Sequence, residues 1–251
     1  MTRRRFHAPP ESFSPDADSV TLSAEETRHL RDVLRLKVDG KVYVFDGTGR
    51  EFRCEVKKIA RNATELRVLN QVTPESPEST LTLTLAVALL KGDKFDLVVQ
   101  KATELGVARI VPVITTRADV RIRGNEDTDR KTLRWQRIAL EATKQCGRAR
   151  LMTVEAPTSF YDLMKHSLES DALGVMFAER TGYSLISALD RAPPDRVIAL
   201  IGSEGGWTDE EIAQARDTGW KIVTLGGRTL RAETAAIVAA ALLQHRFGDL
   251  I

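Results

Sequence analysis

The sequence is poor in cysteine and in long apolar stretches. Its 251 residues include two cysteines, Cys54 and Cys146, which lie far apart and lack the spacing of metal ligands. We therefore expect no disulfide and no metal site, and ordinary thiols in a reducing compartment. The apolar runs are much shorter than the ~20 residues of a membrane span, and none follows the basic start MTRRRFHAPP. These absences predict neither a secretory signal nor a membrane anchor and favour a cytoplasmic protein.

Two common phosphate-binding motifs are missing from the most glycine-rich loop, LIGSEGGWTDEEI at 200–212. The loop matches neither G-x-x-x-x-G-K-[ST] nor G-x-G-x-x-G. It leads into a predicted helix whose first turn holds Asp209, Glu210 and Glu211. These carboxylates complement the helix dipole and would repel an anion. A P-loop or a dinucleotide site is therefore disfavoured.

Charge is nearly balanced over the whole chain, with a formal net charge of +2, but it is unevenly spread. Residues 1–73 hold 14 lysines and arginines against 11 acidic residues, and residues 117–150 hold 10 against 5. Two basic regions indicate a polyanionic partner, although solvated helix faces explain such clusters equally well.

The first part of the chain has the pattern of a small β-rich unit. Segment 41–59 alternates apolar and polar residues around the turn Asp46-Gly47-Thr48-Gly49, which predicts a hairpin. Ser23 and Glu26 form a capping box at the start of a short helix. The segment TPESPEST at 73–80 has two prolines and no apolar residue, so we interpret it as a linker between domains 1–73 and 74–251.

Beyond the linker, predicted strands alternate with predicted helices, which is typical of an α/β fold with a parallel sheet covered on both faces. The strands are predicted at 80–90, 109–115, 172–178, 196–202 and 220–226, and the helices at 94–105, 133–146, 184–190, 208–217 and 232–246.

Three loops follow strands of this sheet and form the candidate ligand site: FAERTG, IGSEGGW and LGGRTLRAETA. Ligands bind at the carboxyl ends of strands in open α/β sheets. The glycines of the last two loops would let main-chain groups approach a ligand closely. A plain tight turn is the alternative for either loop alone, and two such loops together favour a ligand site.

The sequence resembles the SPOUT methyltransferases in the pair LIGSEGGWTDEEI and LGGRTLRAETA. More narrowly, it resembles the family that methylates N3 of a uridine in 16S ribosomal RNA. KGDKFDLVVQKATELGVARIVPVIT, RWQRIALEATKQCGR and RHLRDVLRLKVDGKVYVFDGTG fit the same family, so the resemblance covers nearly the whole chain. Ser203 and Gly227 stand where the family commonly has proline, and Ala232 where threonine is common. These departures concern the shape of the loops.

The resemblance implies a fold, a cofactor and partners. The fold is a SPOUT parallel sheet with a C-terminal trefoil knot, preceded by a small PUA-like β-barrel that binds RNA. The cofactor is S-adenosyl-L-methionine, and the partners are a second copy of the chain and 16S ribosomal RNA, within the assembled small subunit. The expected cofactor-binding residues are Met176, Phe177, Leu200, Ile201, Gly202, Glu204, Gly205, Gly206, Leu225, Gly226, Leu230, Arg231, Thr234 and Ala235.

Arg231 is the expected catalytic residue. The N3 proton of uridine must be lost before or during attack on the methyl group, and a cation near O2 or O4 of the base favours that loss. A structural ion pair to Glu204 or Glu233 is the alternative role for Arg231. The three loops contain no histidine, so a histidine base is disfavoured.

The expected RNA contacts lie in the basic segments and comprise Arg3, Arg4, Arg5, His29, Arg31, Arg35, Gln145 and Arg148. Arginines at such positions contact phosphates, which position RNA without reading its sequence. Gln145 and Arg148 face either RNA or the partner chain, and His29 is equally suited to packing. Three other functions remain open at this point: an RNA-binding adaptor that has lost the chemistry, a methyltransferase that acts on another RNA, and a nucleotide-binding regulator.

Overall fold

The computed structural model describes residues 3–166, 172–188 and 194–250. The chain divides into two compact units. The first comprises the residues up to Glu78 together with Thr143–Leu151, and the second comprises Ser79–Ala142 and the residues from Met152 onward.

The first unit is built on a five-stranded sheet. Its strands are β1 (Arg5–His7), β2 (Ser19–Leu22), β3 (Lys41–Phe45), β4 (Glu51–Ile59) and β5 (Thr64–Val72), in the order β1-β3-β4-β5-β2. The β1–β3 pair is parallel and the other pairs are antiparallel. Alternate residues such as Val42, Val44, Cys54 and Val56 are fully buried, because one face of the sheet covers an apolar core.

The predicted hairpin between β3 and β4 is confirmed, and Asp46 organises its turn. The Asp46 carboxylate accepts hydrogen bonds from the main-chain N–H groups of Thr48 at 2.8 Å and Arg50 at 3.1 Å. Burial acts to raise the pKa of Asp46, but hydrogen bonds from Thr48 and Arg50 outweigh it and hold the pKa below its usual value. Gly47 and Gly49 have φ angles of +80° and +113°, which a residue with a Cβ rarely adopts.

A short helix, α1 (Ala24–Arg28), follows β2 and continues into a π-helical turn at His29–Val33. The Ser23 hydroxyl accepts a hydrogen bond from the Glu26 N–H at 3.3 Å, which is one of the two hydrogen bonds of the predicted capping box. The carboxylate of Glu26 forms an ion pair with Lys144. The linker segment 73–80 has no helix or strand, but Ser76 donates a hydrogen bond to the Cys146 carbonyl at 2.9 Å.

The second unit contains a parallel sheet, which confirms the predicted α/β class. Its strands are β6 (Thr82–Ala88), β7 (Arg109–Ile114), β8 (Thr153–Val154), β9 (Thr158–Ser159), β10 (Leu173–Phe177), β11 (Tyr183–Ser184), β12 (Arg196–Ile201) and β13 (Lys221–Thr224). The order is β11-β13-β10-β12-β6-β7-β8, and β9 also pairs with β7. The described pairings are all parallel.

Helices cover both faces of this sheet. They are α2 (Lys94–Glu104), α3 (Gly124–Cys146), α4 (Phe160–His166), α5 (Leu185–Ala188), α6 (Asp209–Asp217) and α7 (Ala232–Phe247). Along β12, Ala199 and Ile201 pack in the apolar cluster that includes α2 and α7, whereas Leu200 packs in the cluster that includes α4 and α6. None of the helices in the described ranges is both long and apolar enough to cross a membrane.

The apolar periodicity of the sequence predicted the position of α2 well, but it did not predict where α3 begins. In α2, Phe95, Val98, Val99 and Ala102 are buried as expected, and Gly106 follows the helix with a φ of +73°. In contrast, α3 begins at Gly124 rather than at 133. Residues 124–132 are almost entirely polar, so they have no apolar stripe to mark a helix. Part of the helix predicted at 184–190 lies outside the described residues.

Arg5 anchors residues 143–151 within the first unit. Its guanidinium donates to the Glu51 carboxylate at 2.8 Å and to the carbonyls of Thr143 at 3.0 Å, Lys144 at 3.1 Å and Arg148 at 2.7 Å. Only 3% of the Arg5 side chain and none of the Glu51 side chain is exposed. The buried charge of the Arg5 guanidinium is tolerated because its N–H groups donate hydrogen bonds to these four acceptor residues.

We therefore expect Arg5→Ala to destabilise the first unit by about 3 kcal/mol, because it removes the buried partner of the Glu51 carboxylate and three hydrogen bonds to main-chain carbonyls. Amide hydrogen exchange of β3 and β4 measures this local stability. Arg3→Ala is the control: Arg3 pairs with Glu51 at 3.0 Å but is 27% exposed, so its loss should cost about 1 kcal/mol or less. Equal effects of the two variants would contradict the anchoring role.

Candidate active site

The candidate site lies at the carboxyl ends of three neighbouring strands. The strand order β13-β10-β12 places the loops that follow these strands side by side. Along the chain these strands are separated by β11, α5 and α6. Together with the start of α7 they enclose a cavity of about 260 Å³. The lining residues are Phe177, Ala178, Glu179, Ile201, Gly202, Ser203, Glu204, Gly206, Trp207, Thr224, Leu225, Gly226, Arg228, Thr229, Leu230, Arg231, Ala232 and Ala235.

The cavity brings together most of the residues expected to bind the cofactor. Those that line it are Phe177, Ile201, Gly202, Glu204, Gly206, Leu225, Gly226, Leu230, Arg231 and Ala235. The other four are placed differently. Met176 and Leu200 are fully buried in the apolar cluster on the α6 side of the sheet. Gly205 packs against Arg117, and Thr234 is exposed on α7.

Eight further residues line the cavity and were not among those expected to bind the cofactor. They are Ala178, Glu179, Ser203, Trp207, Thr224, Arg228, Thr229 and Ala232. All of them lie in or beside the three loop segments that the strand pattern indicated. Their position was therefore visible from the sequence, but their orientation toward a common cavity was not.

Trp207 joins two of the three loops. Its indole N–H donates a hydrogen bond to the Phe177 carbonyl at 2.8 Å, at the end of β10. The indole ring also lies against Gly202, where an added Cβ would come within 3.0 Å of it. Gly202 is therefore a glycine because the ring occupies the space of a side chain.

The glycines after β13 have a different role. Gly226 and Gly227 have φ angles of +71° and +65°, and the space around both is open. The Arg228 N–H donates to the Gly226 carbonyl at 2.8 Å, which closes a tight turn. Proline has φ fixed near −65°, so the proline common in the family at position 227 cannot follow this path. The positive φ at position 227 therefore excludes proline from this turn.

Charged side chains are also part of the cavity lining. Glu204 accepts a hydrogen bond from the Lys94 ammonium at 2.7 Å. Partial burial acts to raise the pKa of Glu204, but the Lys94 hydrogen bond and main-chain N–H donors outweigh it, so the pKa is lowered and the carboxylate is ionised. Three other charged residues of the lining form no side-chain ion pair within the part of the chain that the structure describes: Glu179, Arg228 and Arg231.

Arg231 occupies the N-cap position of α7 and is exposed. Neither alternative ion pair is present in the described part of the chain, since Glu204 pairs with Lys94 and Glu233 has a buried Oε2 without a hydrogen-bond partner. The guanidinium is thus available to a ligand in the cavity.

The residues expected to contact RNA fall into two groups. For Arg5 and Arg148 the expectation was wrong, because both are buried: Arg5 is held as described above, and Arg148 pairs with Glu78 at 2.7 Å. The remaining residues keep exposed surface, namely Arg3, Arg4, His29, Arg31, Arg35 and Gln145. Among the exposed group, Arg31 is held by Asp32 and by the Arg61 carbonyl.

Comparison with known proteins identifies both units. Residues 77–244 match the RNA methyltransferase domain family, and residues 22–69 match the RNA methyltransferase PUA domain family. The ribosomal RNA small subunit methyltransferase E of Synechocystis is 34% identical over 89% of this chain and 72% of its own length. The corresponding protein of Rickettsia conorii is 32% identical over 87% of this chain and 86% of its own.

Solved structures show the same fold over the whole chain. A methyltransferase of Legionella pneumophila, in complex with bound S-adenosylmethionine, has a TM-score of 0.89 and 30% identity and covers 100% of both chains. The ribosomal RNA small subunit methyltransferase E of Neisseria gonorrhoeae, bound to S-adenosylmethionine, has a TM-score of 0.87 and 31% identity over 99% of this chain and 100% of its own.

The parallel sheet, the cavity at its carboxyl edge and these matches lead to one conclusion: the chain belongs to the family of the ribosomal RNA small subunit methyltransferase E proteins, whose RNA methyltransferase and PUA domains it carries.

Proposed function

We propose that the protein transfers a methyl group from S-adenosyl-L-methionine to N3 of a specific uridine in 16S ribosomal RNA. The observation that carries this proposal is the cavity enclosed by the loops after β10, β12 and β13. The Neisseria gonorrhoeae relative, 31% identical and similar over its whole length, was solved with S-adenosylmethionine.

The residues around the cavity fit this cofactor. Phe177, Ile201, Leu225 and Leu230 supply apolar surface for a flat base, and the glycines leave main-chain groups open to hydrogen bonding. The volume of about 260 Å³ is close to the lower end of the range of ligand sites. Polar side chains that line the cavity, such as Glu179 and Thr229, suit the charged methionine part.

The chemistry that the bound cofactor supplies is an electrophilic methyl group on a sulfonium. The protein must hold the uracil ring in line with that methyl group and favour loss of the N3 proton. Arg231 is the N-cap residue of α7 and lines the cavity. Its guanidinium forms no ion pair within the described part of the chain. A guanidinium that donates to O2 or O4 stabilises the negative charge that develops on the base.

We further propose a division of labour along the chain. Residues 1–73 bind RNA through basic side chains that keep exposed surface, namely Arg3, Arg4, His29, Arg31 and Arg35, together with Gln145. Residues 74–251 hold the cofactor, with the C-terminal segment threaded as a trefoil knot. The active form is a homodimer in the cytoplasm that acts on 16S ribosomal RNA within the assembled small subunit.

The first prediction is that the purified protein binds S-adenosylmethionine in calorimetry, and that a strain without the gene lacks one methyl group on a uridine N3 of 16S ribosomal RNA. Mass mapping of the RNA locates that uridine, and the wild-type gene restores the methyl group. An adaptor would leave the methylation pattern unchanged. A nucleotide-binding regulator would bind ATP and not the methyl donor.

The second prediction concerns Arg231. Arg231→Ala should leave the affinity for S-adenosylmethionine nearly unchanged and lower the single-turnover methylation rate by roughly 10²-fold, because a transition-state contact is lost. Arg231→Lys keeps the charge but loses the planar fork, so its rate should lie between.

Arg216→Ala is the matched control for the loss of one positive charge, since Arg216 is exposed in α6 and lies outside the cavity lining. Its rate should equal that of the wild type. If Arg231→Ala instead loses dimer mass, melting temperature and donor affinity in proportion to rate, Arg231 has a structural role.

A further inference from the structure

The segment that follows β7, residues 115–118, contacts the loop at 202–207 from outside the cavity. Arg117 is the centre of this contact: its Nη1 donates to the Trp207 carbonyl at 2.8 Å and lies 3.4 Å from the Gly205 carbonyl. In return, the Arg117 carbonyl accepts a hydrogen bond from the Ser203 hydroxyl at 3.2 Å. One residue thus bonds to the loop near its start, its middle and its end.

The same segment has a second attachment at the start of α6. The Thr116 N–H donates to Oε1 of Glu211 at 3.0 Å, and the other oxygen of Glu211 accepts from the Thr208 N–H at 3.0 Å. Glu211 is only 5% exposed and also forms the capping box of α6 with Thr208. The position of residues 115–118 is therefore fixed by a buried carboxylate.

Packing between the two segments leaves no room for a side chain at position 205. A Cβ on Gly205 would lie 2.8 Å from the Arg117 carbonyl oxygen and 2.9 Å from the Arg117 Cβ. Such distances are shorter than real contacts of a Cβ, and one of the close atoms belongs to the main chain. Gly205 is thus required by its contact with Arg117, and the loop path depends on that contact.

From these contacts we infer that Arg117 is a positioning residue for the methyl-donor site, acting through Trp207. Arg117 holds the Trp207 carbonyl while the Trp207 indole N–H holds the Phe177 carbonyl, and both Trp207 and Phe177 line the cavity. This inference rests on the proposed function of the cavity, and it names the residue that keeps the 202–207 loop in its binding shape.

Arg117 is itself exposed, so its loss should affect the loop far more than the stability of the fold. Arg117→Ala should lower the affinity for S-adenosylmethionine about tenfold, the effect of one lost charge-assisted hydrogen bond. Arg117→Lys retains a donor and should recover part of that affinity. The KM for the methyl donor should rise, whereas the KM for RNA and kcat at saturating donor should stay at the wild-type values.

Arg121→Ala is the control, because Arg121 lies in the same connection, is exposed and makes no hydrogen bond or ion pair with the described residues. It removes the same charge and should leave donor affinity unchanged. Calorimetry with S-adenosylmethionine and thermal melting are measured on all variants.

A double-mutant cycle with Trp207→Phe tests the route of the effect. This second change removes the hydrogen bond to Phe177, so the losses of donor affinity from the two changes should be less than additive if Arg117 acts through Trp207. Additive losses, or an Arg117→Ala protein that binds the donor like the wild type, would overturn the inference. Failure of the wild-type protein to bind the donor would instead contradict the proposed function.

Discussion

Parallel pairing of β10 with its two neighbours is the constraint on which the site depends. Phe177 at the end of β10 stands opposite Ile201 of β12 on one side and Val223 of β13 on the other. Because all three strands run in the same direction, their following loops leave the sheet at one edge. A slip of one residue in either pair would turn the buried Phe177 and Ile201 to the opposite face. The apolar clusters on the two faces therefore fix the register, and the register fixes the cavity.

The glycines of the site meet three separate physical demands. At Gly202 the Trp207 ring occupies the space that a side chain would need, and at Gly205 the main chain of Arg117 does so. Gly206, Gly226 and Gly227 adopt positive φ angles, between +65° and +71°. The reason expected from the sequence was a different one, the close approach of main-chain groups to a ligand. Two of the glycines serve contacts inside the protein and shape the cavity indirectly.

The elements of the sheet were predictable because their cause is local. Runs such as RVIALI alternate between two apolar faces, and glycine-rich segments mark where β12 and β13 stop. The start of α3 was not predictable, since its first nine residues have no buried face to repeat. The same limit applies to Arg5 and Arg148. Whether an arginine side chain points to solvent or pairs with a carboxylate depends on residues distant in sequence, here the buried Glu51 and the half-buried Glu78.

Trp207 and Arg117 illustrate why the site itself was only partly predictable. The sequence indicates that the 202–207 loop is glycine-rich and ends before a capped helix, but it does not show that the loop is held from two sides. The side toward the cavity is fixed by the indole bond to Phe177, and the outer side by the guanidinium bond to the Trp207 carbonyl. Both bonds join residues far apart in the chain, so they exist only once the parallel sheet has formed. The shape of the loop is therefore a consequence of the completed fold, whereas the apolar lining of the cavity can be predicted from the residues at the strand ends.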